Sequence, residues 1–276
     1  TGQRVVNFVV YLTGLTGKSD DNGHGTHVAG IIAGNGYDTH GSRAGIAPAS
    51  HLVSLKVLDA NGGGYISNVI AALDWVVANR TTYNIRVVNL SVGAAVTESC
   101  LTHPLTLAAK RVVDEGVVVV TAAGNLGKSN TGKTQYGAIT APGNAPWVLT
   151  VGAYTHQGTL PRFDDKMGKF SSRGPTAKDF TAKPDVVATG VGIASLSVPG
   201  STLYLAKPSM LLKGALSSTL KPYLSLTGTS MAAPVVSATV ALMIQANPSL
   251  TPNAVKAILQ YTSQRKANTS PLAQGA

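Results

Sequence analysis

Short apolar runs with almost no polar interruption recur along the chain. Between them lie longer stretches in which apolar residues return every third or fourth position. The runs fall at residues 5–12, 51–58, 86–91, 117–122 and 147–153, with a shorter one at 185–188. Apolar continuity without alternation marks strands covered on both faces, the condition of a parallel sheet. The helical periodicity predicts helices over 24–33, 67–78, 105–114, 229–246 and 252–260. The last follows Thr251, a side chain suited to the N-cap, and starts on Pro252, whose missing N–H is harmless in a first turn. Strands and helices alternate, which implies an α/β fold: a doubly wound, mainly parallel sheet with helices on both faces and a ligand site at the carboxyl ends of its strands. No low-complexity linker or internal repeat interrupts the pattern, so residues 1–276 read as one domain.

Composition narrows the class. Hydrophobic residues are 44% of the chain and mean hydropathy is +0.16, enough for a sizeable core and against disorder. Aromatics are only 5%, so the core is expected to be Val, Ala, Leu and Ile. The net charge of +10 comes from scattered lysines and arginines; no basic run is interleaved with aromatics, so nucleic-acid binding has no support. Cys100 is the single cysteine, which rules out an intrachain disulfide. No uninterrupted apolar stretch reaches about 18 residues, so no membrane span is expected. No signal peptide stands at Thr1; an exported protein would then be represented by a processed or trimmed form.

Three polar clusters stand where the strands end or the helices begin: Asn22-Gly23-His24-Gly25-Thr26-His27, Ala122-Ala123-Gly124-Asn125, and Gly228-Thr229-Ser230-Met231-Ala232-Ala233-Pro234. Ser230 opens a helix among small residues. A nucleophilic hydroxyl there gains from the free N–H groups of the first turn as negative charge develops, although a serine in this place is equally read as a helix cap. His24 lies between glycines at the mouth of another helix, and a neutral imidazole titrating near neutrality is the base such a hydroxyl needs. With His27 it also makes an i, i+3 pair able to bind a metal, but no H-E-x-x-H pattern or nearby cysteine supports that. Asn125 ends a buried strand and offers an amide donor at a fixed point; an asparagine after glycine is also an ordinary turn former.

Taken in order, His24-Gly25-Thr26-His27-Val28-Ala29-Gly30, Asn125 after Ala122-Ala123-Gly124, and the block from Gly228 to Pro234 resemble the three signature blocks of the subtilase (subtilisin-like) serine protease family. Further matches are Gly45-Ile46-Ala47-Pro48, Asn89-Leu90-Ser91-Val92-Gly93, Phe170-Ser171-Ser172-Arg173-Gly174-Pro175 and Lys183-Pro184-Asp185-Val186, so the resemblance runs over residues 5–262. It implies a secreted or exported (extracellular or periplasmic) serine endopeptidase acting on peptide or protein substrates. In that role His24 is the general base, Ser230 the acylated nucleophile, and Asn125 with the Ser230 N–H the oxyanion hole; His27 is structural. Ser91, Val92 and Gly93 resemble the strand that pairs with the substrate backbone. Ala122, Ala123 and Gly124, with residues 140–143, resemble the walls of the primary specificity pocket. With Thr140 at its floor, that pocket fits a medium-sized apolar residue. The chemistry requires no cofactor. Several family members bind calcium in loops, but residues 35–43 hold one Asp and no oxygen-rich run, so no clear calcium motif is present.

Two features depart from the family. Its triad aspartate stands in an apolar-apolar-Asp-Thr/Ser-Gly block well upstream of the base; here 23 residues precede His24 and none forms that block. Asp20 and Asp21 resemble instead the acidic pair that members carry just before the histidine block, since the orienting group must reach the far side of the imidazole. In the family the aspartate ends a central strand lying between those placed here at 51–58 and 86–91. Each unpaired buried backbone group costs about 1–3 kcal/mol, against a net domain stability of about 5–15 kcal/mol. A separate peptide is therefore expected in that slot, an N-terminal segment of the same protein retained noncovalently after a cut before Thr1. In a subtilisin, losing the orienting aspartate lowers kcat by about four orders of magnitude; the chain alone is expected to be weak or inactive. The competing reading is a catalytically impaired pseudoprotease or regulatory partner, against which the retained Ser, His and Asn argue. A nucleotide-binding domain fits poorly, because neither a G-x-G-x-x-G nor a P-loop is present. The second departure is a long stretch at 201–225, where Tyr204, Leu205, Met210, Leu211 and Leu212 mix with Lys207, Lys213 and Lys221. It reads as a surface hairpin packed on the body, or else as a flap beside the active site or a docking surface.

Overall fold

The computed structural model describes residues 4–14, 17, 19–216 and 218–276. The cut expected before Thr1, and Ser217 in the long stretch after Pro199, lie outside the described residues. The chain forms two compact units, one of residues 1–72 and 193–226, the other of residues 73–192 and 227–276. The elements, in chain order, are β1 (Val5–Val10), α1 (His24–Ala33), β2 (Leu52–Lys56), α2 (Ile66–Asn79), β3 (Val87–Leu90), α3 (Pro104–Asp114), β4 (Val118–Ala122), β5 (Leu149–Thr155), β6 (Lys166–Met167) and β7 (Val186–Thr189). They continue with β8 (Ile193–Leu196), α4 (Thr202–Ala206), β9 (Leu211–Leu212), β10 (Tyr223–Leu226), α5 (Thr229–Ala246), α6 (Pro252–Thr262) and α7 (Pro271–Gln274). This is the α/β fold expected, with mainly parallel pairing among the strands read from sequence.

In the larger unit, β3, β4, β5 and β7 pair in parallel and the short β6 adds antiparallel to β5. One face of this sheet carries Val118, Val120, Ala122, Leu149, Val151 and Ala153, packed against Ala232, Ala233, Val236, Val240 and Ile244 of α5 and Val255 of α6. Strand side chains alternate between faces, so Val119 and Thr121 point the other way, and they too are buried. α3 packs on β4 with Leu105, Ala108, Ala109 and Val112 all buried. Helices therefore cover both faces. α5 has the length and hydropathy of a bilayer span (mean hydropathy 1.4 over 18 residues) despite the expectation of none, but its apolar surface packs on β3, β4, β5 and β7.

The smaller unit holds two little sheets, β1–β2 in parallel and β8–β10–β9 antiparallel, with α1 packed on β8 and β2. The strands read from the sequence thus fall into separate sheets. Among the described residues β2 pairs only with β1 and β3 only with β4, so each keeps one open edge. Their composition is that of doubly covered strands, yet every residue of β2 and β3 is half-buried, whereas every residue of β4 is fully buried. Two apolar strands thus lack a neighbour on one side.

The Lys183–Val186 block has a structural task. Lys183 is 1% exposed, and its ammonium donates to Asp185 Oδ2 at 2.6 Å and to the Val148 carbonyl at 3.0 Å. Asp185 Oδ2 also accepts from Thr150 N at 2.7 Å, and Oδ1 meets Lys256 Nζ at 2.8 Å. Burial pulls the Lys183 ammonium down to about 7 while Asp185 opposes the shift. Removing one partner of a buried pair strands the other charge, at about 3–5 kcal/mol. Asp185→Ala should lower the unfolding free energy by that amount in urea titrations, and Lys183→Met, which removes the most buried charge, should cost markedly less.

Candidate active site

In the larger unit the site is built at the carboxyl ends of β3 and β4 and the first turn of α5. The Ser230 hydroxyl donates to the Ser91 carbonyl at 3.2 Å, and Ser91 Oγ returns a hydrogen bond to the Ser230 carbonyl at 2.9 Å. Behind them Asn89 donates from Nδ2 to Ser91 Oγ at 3.0 Å and accepts from Ser237 Oγ at 2.9 Å. The serine at the helix start is thereby locked to the strand that ends beside it.

Thr229 fixes the amide of Asn125. Its backbone N–H donates to Asn125 Oδ1 at 2.9 Å and its hydroxyl donates to the same oxygen at 3.1 Å. A backbone N–H can only donate, so the atom facing it must be the oxygen, and the Nδ2 donors turn away. The Thr229 hydroxyl in turn accepts from Gly124 N at 3.2 Å. A methyl group on Gly228 would lie 3.5 Å from Asn125 Nδ2 and 3.7 Å from Ser230 N. Two nitrogens therefore border one point in space. The Ser230 N–H belongs to a first turn, whose amides lack intrahelical acceptors.

The residues expected to line a specificity pocket also meet. Thr140 N donates to the Ala123 carbonyl at 3.1 Å, and Ala94 and Ala141 form a two-way antiparallel bridge just beyond Val92 and Gly93. A Cβ on Gly93 would touch Thr140 Oγ1 at 2.5 Å. At Gly124 it would meet Thr140 Cγ2 and Ser172 Oγ, each at 2.8 Å, and the backbone there has φ +102°, so only glycine fits. Ala122 lies in β4, 5% exposed. Thr229, Asn89 and Ser172, which accepts from Leu126 N at 3.0 Å, were not singled out by sequence reasoning. Each sits inside a quoted block, which was the available signal.

His24 is the first residue of α1 in the smaller unit and is half-buried. The entry to α1 turns on Gly23 at φ +94°. Asp20 caps it, accepting from Gly23 N at 2.8 Å and Thr26 N at 2.7 Å, and Asp21 pairs with Lys56. Neither carboxylate hydrogen-bonds the His24 ring. Burial lowers the His24 pKa below its ordinary value, and the Asp20 charge opposes this. His27 is wholly buried and its Nε2 lies 2.9 Å from the Leu224 carbonyl and 3.1 Å from the Ile193 carbonyl. Carbonyls only accept, so Nε2 carries the proton. Among the described residues no three His, Cys, Asp or Glu side chains gather in a metal-holding cluster.

The model of the subtilase family matches residues 10–276. The chain belongs to the subtilase family. Relatives of this subtilase include the serine protease AprX of Bacillus subtilis, 34% identical over 278 residues, covering 99% of this chain and 60% of AprX. Another is subtilisin Savinase of Lederbergia lenta, 32% identical, covering 96% of this chain and 79% of the relative. M-protease of Shouchella clausii is 32% identical over 96% of this chain and 56% of its own length, so this subtilase spans well under two thirds of some relatives. Among solved structures it resembles a cold adapted subtilisin-like serine proteinase (TM-score 0.68, 28% identity, 96% of this chain and 78% of that one) and sphericase (TM-score 0.74, 25% identity, 96% and 81%).

Burial without a counter-charge drags His27 from its ordinary 6.5 down to about 4. A depressed histidine stabilises the fold in its neutral form, fully so above pH 6.5, and that contribution is lost as pH falls through about 4. The gap corresponds to on the order of 3 kcal/mol. Urea unfolding at pH 7, 5.5 and 4 should show this acid loss in the wild type. It should be smaller by that amount in His27→Gln, which keeps an amide donor for the two carbonyls but does not titrate.

Proposed function

We propose that this chain is the greater part of a serine endopeptidase that hydrolyses peptide bonds through an acyl-enzyme on Ser230. His24 takes the hydroxyl proton as Ser230 attacks the carbonyl, then returns it to the leaving amine. The oxygen that becomes negative sits in the point bordered by Asn125 Nδ2 and Ser230 N. That point is the observation that carries the reading: two fixed donors beside the attacking hydroxyl stabilise charge that exists only in the transition state. Ser91, Val92 and Gly93 hold the substrate backbone as an added strand. Ala122, Ala123, Gly124 and Thr140 enclose a medium-sized apolar side chain. Family membership supports the protease activity and carries with it export to an extracellular or periplasmic site.

The orienting aspartate belongs, in this proposal, to a further segment of the same protein that adds a strand to an open edge. Support comes from β2 and β3, whose apolar residues are half-buried for want of a neighbour. Asp20 does not fill the role, since both of its oxygens are committed to the backbone of α1.

A fluorophosphonate should label Ser230, and His24→Ala should abolish the labelling; a chain that stays unlabelled even with the aspartate segment supplied would be the impaired pseudoprotease. Gly228→Ala is a sharper test. Its φ of 165° is ordinary extended backbone and its methyl meets nothing closer than 3.5 Å, so the protein should melt as wild type. The methyl nonetheless occupies the point the substrate oxygen needs. Its kcat should fall about 100–1,000-fold, the range known for losing one such donor in a subtilisin. In the chain without the aspartate segment the acid limb of the residual kcat/KM should lie below pH 6.5, because burial makes the His24 imidazole harder to protonate, and supplying that carboxylate should move the limb upward.

A further inference from the structure

Residues 201–216 hold the turn that leads into the helix starting at His24 and the turn region that follows it. At its front, Thr202 N donates to the Asp21 carbonyl at 2.9 Å and Leu203 N to the Asn22 carbonyl at 3.0 Å. Ser201 is 3% exposed and lies against Gly23, where an added Cβ would come within 2.6 Å of its hydroxyl. Asn22 is pinned twice more, with Nδ2 donating to the Ala60 carbonyl at 2.8 Å and Oδ1 accepting from His24 N at 3.3 Å. At the rear, Ala215 N donates to the Asp38 carbonyl at 2.7 Å and Leu216 N to Asp38 Oδ1 at 3.1 Å. Arg43 donates to the Lys213 carbonyl at 2.9 Å.

We propose that residues 201–216 are a brace that positions the His24 imidazole. The role rests on His24 being the base. Packing does not explain the segment: α4 buries none of its residues, and Leu205 and Met210 are 69% and 49% exposed. Besides the pairing of β9 with β10, its attachments are hydrogen bonds to the turns on either side of one helix. With the carbonyls of Asp21 and Asn22 both held, the peptide planes leading into Asn22 and Gly23, the last two before that of His24, lose their freedom to rotate. The ring then keeps one approach to a hydroxyl proton. Geometry of this kind matters steeply, since a misplacement of about 1 Å can cost about 100-fold in rate. Residues 201–216 set where the base stands and touch no reacting atom.

Thr202→Pro removes both donors of Thr202 to the Asp21 carbonyl, its N–H and its hydroxyl at 3.4 Å. Thr202 is the first residue of α4, where the helix needs no N–H, and Ser201 before it sits at φ −70°, ψ 160°, the conformation a following proline favours. The variant loses the donors to Asp21 and keeps the helix; Thr202→Ser keeps both. Asp38→Ala loosens the other end. In the full-length protein, Thr202→Pro should raise amide hydrogen exchange in peptides covering residues 20–28 about tenfold and leave α5 peptides unchanged. On a chromogenic peptide its kcat should fall about tenfold with KM within about twofold of wild type. Asp38→Ala should move both readouts the same way, and Thr202→Ser should match wild type. Wild-type exchange in both loosened variants overturns the brace; faster exchange with unchanged kcat overturns its positioning role. The exchange measurement decides the brace whatever His24 does, while an unimpaired His24→Ala would sink the base assignment alone.

Discussion

Everything in the larger unit follows from the burial of α5. A helix this apolar on all sides must be covered, and the parallel sheet of β3, β4, β5 and β7 covers it. Once that packing is set, the polar first turn has a single place to go, at the strand ends where Ser91 and Asn125 wait. Burial of Val236, Val240 and Ile244, far down the helix, thus fixes a hydroxyl and two N–H donors to within hydrogen-bonding tolerance. A hydroxyl anchored by a core helix needs no loop to hold it.

The histidine is held by different means. α1 is short, and its cap, Asp20, lies outside the helix. His27 stitches it to β8 and β10, and the hydrogen bonds from 201–216 hold the turns before and after it. Apolar packing positions one group and a lattice of polar contacts positions the other. Polar contacts are weaker individually and more easily retuned by mutation, so sequence change in the smaller unit has more room to shift α1 without unfolding the chain.

Much of this was legible beforehand where the signal is local. α1 and α5 begin and end where their periodicity says, and Thr251 with Pro252 opens α6 as expected. The candidate serine and asparagine meet in space because one opens α5 and the other follows β4, two elements whose patterns are strong. Illegible were β8, β9, β10 and α4, which are two to five residues long and defined by pairing partners distant in the chain. Nothing in the string Ser201–Leu216 says that it grips Asp21 and Asp38. The facing of the Asn125 amide also depends on Thr229, a residue that sequence alone reads as helix start. The break between β2 and β3 was legible from the missing aspartate block, whereas the pairing of β8 with β10 and β9 was not.

The open edges of β2 and β3 bear on how the chain behaves in solution. A bare row of N–H and C=O groups on an apolar strand is a template for another extended peptide, including the same strand of another molecule. Dilution, chaperoning and early pairing then matter more to recovering this protein intact than the strength of its core, and titres in heterologous production should track how soon those rows are capped.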